Sequence, residues 1–276
     1  MSTKLKIAAA VAAAVLLSAC SSPKHEPMPL VKFTPSMEVT EVWSKGLSSA
    51  EGFLVPAVYD DMVFAAGGKT LTRLNARTGE TEWSVSFNSP ITGGVGSDGY
   101  VTAVGLWDGN LEVVDAEGKV SWEKKLTTEL ASPPVVSHGL VIARTMDTRV
   151  SAFEASSGEL QWTYQRSQPA LTVRLPTRML AHDNFLLVGQ PNGHIVILDI
   201  ASGKPMFEFQ VAQAKGVTEV ERLVDVVGAP AFSDNLVCAA AFQGAVTCVD
   251  STNGQTRWTQ KIDAVAGPAI DEDNVY

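Results

Sequence analysis

A glycine followed four residues later by an aromatic residue occurs five times along this chain, and no other feature restricts the possible folds as strongly. The pairs are Gly79 and Trp83, Gly118 and Trp122, Gly158 and Trp162, Gly203 and Phe207, and Gly254 and Trp258. Successive glycines are 39, 40, 45 and 51 residues apart. This spacing is typical of one small sheet per repeat, so it predicts an array of sheets.

Each repeat divides into four short β-rich runs separated by turn residues. The last complete repeat shows them most clearly, with strands predicted over residues 230–232, 236–240, 245–250 and 256–261. Four antiparallel strands per repeat is the plan of a propeller blade. We therefore predict an all-β protein, a β-propeller with about five complete blades. We interpret each tryptophan as a wedge against the adjoining blade, with the glycine of its own copy turning beneath it.

Both ends of the array are incomplete in the sequence pattern. Residues 41–44 resemble the fourth strand of a blade, yet three earlier strands do not precede them. The chain stops at Tyr276, where the second strand of a sixth repeat begins. A propeller commonly closes by pairing its terminal strands. We expect a fragment of a longer ring, and a complete five-bladed ring is the alternative.

The N-terminus has the pattern of an export signal. Lys4 and Lys6 precede an apolar run over residues 7–17 that is too short to span a bilayer. The following Leu-Ser-Ala-Cys resembles the bacterial lipobox, which implies lipidation of Cys20, and Ser21 after it implies sorting to the outer membrane. We expect a signal peptide at 1–19, a proline-bearing tether at 20–37 and the propeller at 38–276. An ordinary signal peptide with an incidental cysteine is the alternative.

Composition and motifs exclude several classes of function. The formal net charge is -9, and removal of the signal peptide would take away two lysines and no acid, so nucleic acid is not an expected partner. No serine lies in a nucleophile elbow, and no His/Cys cluster has the spacing of metal ligands. We predict that the protein is not an enzyme and needs no cofactor or metal.

Cys238 and Cys248 lie on consecutive predicted strands. A three-residue loop at 242–244 would place them directly opposite one another, whereas a two-residue loop at 243–244 would put them on different faces. Their apolar neighbours favour two buried free thiols, and a disulfide stays the alternative.

Two long connections interrupt the repeat, at residues 165–176 and 211–228. Both join a fourth strand to the next first strand, so both fall on one rim in adjacent blades. Long loops on a rigid scaffold commonly carry binding. The candidate partner-binding residues combine apolar anchors with charges and are Leu171, Val173, Arg174, Arg222 and Asp225. The alternative is that these are variable loops with Leu171 and Val173 tucked into the blade.

The repeat phrase resembles the tryptophan-docking motif of PQQ-type propellers, and the whole chain resembles the BamB family of outer-membrane-protein assembly lipoproteins. The family's first insertion carries Leu-x-Leu-Arg, which residues 171–174 match with Val173 in third place. Its second insertion carries Asp-Arg-Leu-x-Asp-Val-Asp, of which Arg222 and Asp225 remain while Val227 replaces the last carboxylate.

This resemblance implies eight blades and a non-enzymatic periplasmic scaffold anchored in the outer membrane. It also implies docking on the POTRA domains of BamA, contact with other Bam components and assistance to unfolded outer-membrane clients. Two alternatives remain at this point: a propeller that binds PQQ or another small ligand in a polar axial pocket, and an adhesion or cell-wall-binding lipoprotein.

Overall fold

The computed structural model describes residues 32, 34, 37–49, 52–167 and 169–276. The chain divides into two compact units, Met1–Glu41 and Val42–Tyr276, and the second unit contains every strand found in the described ranges. Cys20, the predicted signal peptide and most of the predicted tether lie outside the described residues, so the boundaries at 19 and 37 stay predictions. Within the described ranges, no helix has the length and apolarity needed to cross a membrane.

Five sheets of antiparallel strands follow one another, which confirms the prediction of an all-β propeller with four-stranded blades. The short β1 (Phe53–Leu54) pairs in parallel with the first strand of blade 2. Blade 1 comprises β2 (Ala57–Tyr59), β3 (Met62–Gly67), β4 (Thr70–Asn75) and β5 (Thr81–Ser86). Blade 2 comprises β6 (Ile91–Ser97), β7 (Thr102–Leu106), β8 (Asn110–Val114) and β9 (Val120–Lys125).

The next three blades repeat the same order, and strand one of each blade lies beside strand one of the next. Blade 3 comprises β10 (Val135–Ser137), β11 (Leu140–Arg144), β12 (Val150–Glu154) and β13 (Leu160–Tyr164). Blade 4 comprises β14 (Leu180–His182), β15 (Phe185–Gln190), β16 (His194–Asp199) and β17 (Pro205–Gln210). Blade 5 comprises β18 (Val226–Ser233), β19 (Leu236–Ala241), β20 (Gly244–Asp250) and β21 (Thr256–Ile262).

The second strand of each blade is apolar because it is covered on both faces. In β7, Ala103 packs with blade 3 while its neighbour Val104 packs with blade 1. In β15, Leu186 packs with blade 3 and Leu187 with blade 5. Successive side chains of a strand point to opposite faces, so each buried strand contributes to two cores. Four inter-blade cores, and no single central core, therefore hold the five described blades together.

The tryptophans lock neighbouring blades together, as the sequence predicts, but each one uses a different glycine from the one expected. Trp83 lies on Gly118 of the following repeat, where an added Cβ would be 2.7 Å from the ring, and its indole N–H donates to Ala116 O at 2.9 Å. The same arrangement recurs for Trp122 with Gly158 and Ala155 O, and for Trp162 with Gly203 and Ile200 O. All five repeat glycines have positive φ, which glycine adopts without strain.

Three further aromatic residues extend or limit this pattern. Trp43 docks on Gly79 and donates to Ala76 O, although residues 41–44 form no strand, contrary to the sequence prediction, because no described strand pairs with them. Phe207 covers Gly254 but has no N–H to donate. Trp258, with no later glycine turn of the described chain against it, is 39% exposed.

Cys238 and Cys248 form a disulfide, so the preference for two free thiols is wrong. The register of β19 and β20 pairs the two residues directly, with their Cα atoms 4.1 Å apart. This is the arrangement that the three-residue loop requires. The apolar surroundings that favoured free thiols are equally compatible with a buried cross-link.

Candidate docking site

The two ends of the blades form two different rims. We call the end that carries the turns between strands 1 and 2 and between strands 3 and 4 the tryptophan rim. The opposite end, which carries the turns between strands 2 and 3 and the connections between blades, is the insertion rim. Both long insertions belong to the insertion rim, as predicted, because each joins a fourth strand to the next first strand.

The first insertion spans residues 165–179 of the sequence, and its described part is held against blade 5 by a short parallel ladder. Thr177 bridges Gly228, Arg178 N–H donates to Gly228 O at 2.9 Å, and Gly228 N–H donates to Pro176 O at 2.8 Å. Backbone pairing of this kind holds a connection without regular strands of its own. The segment just before the ladder, 171–174, is therefore presented from a supported base.

The candidate residues of this segment differ in exposure. Leu171 is 46% exposed and Arg174 is exposed as well, whereas Val173 is partly buried. The described ion pairs do not include Arg174. The segment thus offers an apolar side chain and an unpaired guanidinium to solvent, while Val173 faces inward.

Asp225 connects the two insertions. Its side chain is only 6% exposed, Oδ2 accepts the N–H of Val173 at 2.6 Å, and Oδ1 accepts the N–H of Asn192 at 3.2 Å. Burial raises the pKa of Asp225, and the two N–H groups and Arg144 oppose that shift. Both carboxylate oxygens are engaged inside the rim. Asp225 therefore positions Val173 and Asn192, and it offers no free carboxylate at the surface.

The second insertion, 211–225, has a charged and apolar tip. Arg222 is exposed and lies 3.6 Å from Glu219, an exposed pair of the kind that contributes little to stability. Glu221 accepts the backbone N–H groups of Val217 and Thr218, which lowers the pKa of this carboxyl. These contacts hold Val217 outward, almost fully exposed.

Sequence reasoning missed two apolar groups on this rim. Val217 lies in the second insertion, where no sequence pattern distinguishes an exposed valine from a buried one. Trp107, 63% exposed in the turn between β7 and β8, does not belong to the glycine and aromatic phrase. This position outside the repeated pattern could have marked Trp107 as a candidate contact residue, because the pattern gives it no glycine turn to pack on. An exposed tryptophan is a common anchor in protein interfaces.

A cavity of about 280 Å³ opens on the insertion rim where the inner ends of blades 2 to 5 meet. We call it the axial cavity. Its lining includes Trp107, Arg144, Val173, Arg174, Gln190 and Asp225. Three of the predicted partner-binding residues thus share this cavity, while Leu171 and Arg222 do not line it. Within the described ranges, no group of His, Cys, Asp and Glu side chains is arranged to hold a metal ion.

Comparison with known proteins identifies the family. The family described as outer membrane protein assembly factor BamB matches residues 67–276. This chain belongs to the BamB family. A BamB relative from Burkholderia pseudomallei is 37% identical over 270 residues, which cover 96% of this chain and 71% of the relative.

Solved structures agree with this BamB assignment. BamB from Moraxella catarrhalis superposes with a TM-score of 0.73 at 26% identity, over 83% of this chain and 72% of that one. A quinohemoprotein alcohol dehydrogenase from Comamonas testosteroni superposes with a TM-score of 0.59 at 18% identity, over 80% of this chain and 43% of that one. The second likeness concerns the propeller fold alone.

Proposed function

We propose that this chain is a non-enzymatic scaffold lipoprotein of the outer-membrane β-barrel assembly machinery. It docks through the insertion rim on the periplasmic POTRA domains of BamA and assists the insertion of unfolded outer-membrane proteins. Membership of the BamB family supports the general role. The observation that carries the docking face is the joining of both insertions by Asp225 into one supported surface.

The chemistry of this surface suits a protein partner. Leu171, Val217 and Trp107 supply exposed apolar groups, and Arg174 supplies a guanidinium that no described carboxylate neutralises. Interfaces of moderate affinity commonly combine a few apolar and arginine anchors with a polar rim. Because Asp225 and the parallel ladder already order the segment 171–174, docking requires little further loss of loop entropy.

The cellular location is part of the same proposal. Lipidation of Cys20 would hold the protein at the outer membrane with the propeller in the periplasm, since several acyl chains anchor a protein stably. Replacement of Cys20 by Ser should abolish incorporation of labelled palmitate and release the protein into the soluble periplasmic fraction. Retention of the variant in the membrane fraction would contradict the anchor.

The docking face is tested by reversing one charge on each rim. Arg174→Glu should reduce recovery of BamA in a pull-down by at least about tenfold, because it places a carboxylate where the partner meets a guanidinium. Arg77→Glu is the matched control, since Arg77 is an exposed arginine on the tryptophan rim with only a surface partner, Asp61. Equal recovery with both variants, at unchanged thermal stability, would exclude the insertion rim as the docking face.

A further inference from the structure

Arg144 is a buried cation without an ion-pair partner in the described part of the chain. It ends β11 with only 5% of its surface exposed, and Nη1 donates to Thr177 Oγ1 at 3.1 Å. Its Nε has no hydrogen-bond partner among the described residues, and no described carboxylate lies within 4.0 Å of the guanidinium. Buried charges are ordinarily paired, because desolvation of an unpaired ion is costly.

Asp225 attracts Arg144 but forms no ion pair with it. Asp225 acts on it at longer range, but both Asp225 oxygens already accept backbone N–H groups. Burial lowers the pKa of Arg144 to about 10, with Asp225 acting in the opposite direction. The guanidinium is therefore still charged at neutral pH, and its Nε lacks an acceptor within the described chain.

Gln190 adds a second donor at the same place. It ends β15, is 3% exposed, and its Nε2 has no hydrogen-bond partner among the described residues. Arg144 and Gln190 both line the axial cavity. Buried polar groups in proteins are nearly always hydrogen-bonded, so unpaired donors on two side chains that line one cavity point to an acceptor supplied from outside the described chain.

The charges around the cavity restrict that acceptor. A cation is excluded by Arg144. The wall carries Asp225 and Glu129 as well as Arg144 and Arg174, so its formal charges cancel and a doubly charged phosphate is disfavoured. A single carboxylate matches the guanidinium in charge and geometry and has lone pairs for an amide N–H as well. Trp107 and Val173 beside this polar floor suit the apolar stem of an acidic side chain.

We propose that Arg144 and Gln190 form a carboxylate-binding site in the floor of the axial cavity, filled by an acidic side chain of the protein that docks on the insertion rim. The proposal rests on the proposed docking function, which it deepens by naming the group that the partner inserts. The docking surface would then have an outer and an inner part. Leu171 and Arg174 make contact at the outside, and Arg144 and Gln190 hold a carboxylate below them.

The first experiment titrates the full chain with glutamate blocked at both ends, using blocked glutamine as the neutral control. Blocked glutamate should bind and shift the amide signals of the cavity residues, and blocked glutamine should not. Arg144→Gln should weaken this binding about 30-fold, the loss expected when one partner of a buried charge pair is removed. Gln190→Leu should weaken it less, since it removes a neutral donor. Binding of both probes alike, or of neither, would overturn the site.

The second experiment measures docking on the periplasmic region of BamA. Arg144→Gln should weaken docking while leaving the melting temperature unchanged or higher, because it removes an unpaired buried charge. Arg144→Lys keeps the charge but loses the paired N–H donors of the guanidinium, so it should bind more tightly than Arg144→Gln and less tightly than the natural chain. If Arg144→Gln does not fold, Gln190→Leu and competition by blocked glutamate give the same test.

The outcomes separate this site from the docking function. If Arg174→Glu abolishes docking while Arg144→Gln and blocked glutamate leave it unchanged, the docking face stands and the inserted carboxylate is wrong. If blocked glutamate binds without competing with BamA, the cavity takes a free acid and the partner is not its occupant. Loss of docking in both variants, with competition by blocked glutamate, supports the proposal.

Discussion

The tryptophan rim and the insertion rim are built from the two ends of the same strands, yet they differ in how regular they are. On the tryptophan rim, the packing of an indole on the next glycine turn recurs from Trp43 to Trp162 with the same hydrogen bond. On the insertion rim, one buried acid, Asp225, joins three unrelated segments. Regular contacts assemble the blades, and irregular ones produce a surface that can recognise a partner.

The largest effect should come from adding one methyl group beneath an indole. In Gly203→Ala the new Cβ would lie 2.4 Å from Trp162 Cε3, at a φ of 68°. Gly139 has a similar φ of 71° but nothing within 4 Å, so Gly139→Ala reports backbone strain alone, about 1–2 kcal/mol. The free energy of unfolding by denaturant should fall at least ~2 kcal/mol further in Gly203→Ala. Equal losses would show that glycine is needed there only for the turn.

Removal of an indole should have an effect of similar size, and that effect should depend on what covers the ring. Trp162 is 9% exposed and docked, whereas Trp258 is 39% exposed and lacks a following turn in the described chain. Trp162→Ala should cost about 3–5 kcal/mol of unfolding free energy, and Trp258→Ala clearly less. Similar losses in the two variants, measured by urea unfolding, would contradict the role of inter-blade docking.

A smaller effect should appear with pH in the middle of β8 in blade 2. Glu112 lies opposite Glu123, and burial, followed by repulsion from Glu123, raises its pKa to about 7. The folded state therefore holds a proton that the unfolded chain loses above its ordinary pKa of 4.5. The stability from the protonated form is complete below that pH and is lost as pH rises through about 7.

Hydrogen exchange of β8 and β9 measures this pH effect. Protection at about pH 5 should exceed protection at about pH 8 in the natural chain, and Glu112→Gln should remove most of the difference. Protection of the turns on the tryptophan rim should be the same at both pH values. A pH dependence that survives in Glu112→Gln would assign it to another group.

The smallest effect should come from completing the tryptophan pattern at the junction of blades 4 and 5. Phe207 already covers Gly254. Ser251 O lies three residues before that glycine, as the acceptor Ile200 O lies three residues before Gly203. Phe207→Trp should stabilise the protein by up to about 1 kcal/mol through the added N–H bond. A lower melting temperature would mean that this junction is shaped for phenylalanine.

The tryptophan rim could be predicted from the sequence because the glycine and aromatic pair occurs five times, and each copy supports the same assignment. It could not assign the glycine partner, because the glycine of the same repeat and that of the next repeat satisfy the pattern equally. The Cys238 and Cys248 pair depended on the length of one loop, which the turn residues left open. Apolar neighbours favoured two free thiols, and this prediction was wrong because the strand register decides whether the two cysteines face each other.

The insertion rim was predictable in position but only partly in detail. The lengths of the connections located it, and the residue types of 171–174 suggested a contact. Asp225 lies between Val224 and Val226, a context that does not reveal whether its carboxylate faces a partner or the backbone of Val173. Arg144 ends a strand that reads as wholly buried, and its missing acceptor is visible only in three dimensions.

Crosslinking in living cells determines which of the two rims contacts the assembly machinery. A photoreactive amino acid at position 174 samples the insertion rim, and one at position 206 samples an exposed site on the tryptophan rim. We expect BamA adducts from position 174 and none from position 206. Adducts from position 206 alone, or equal adducts from both, would contradict this expectation.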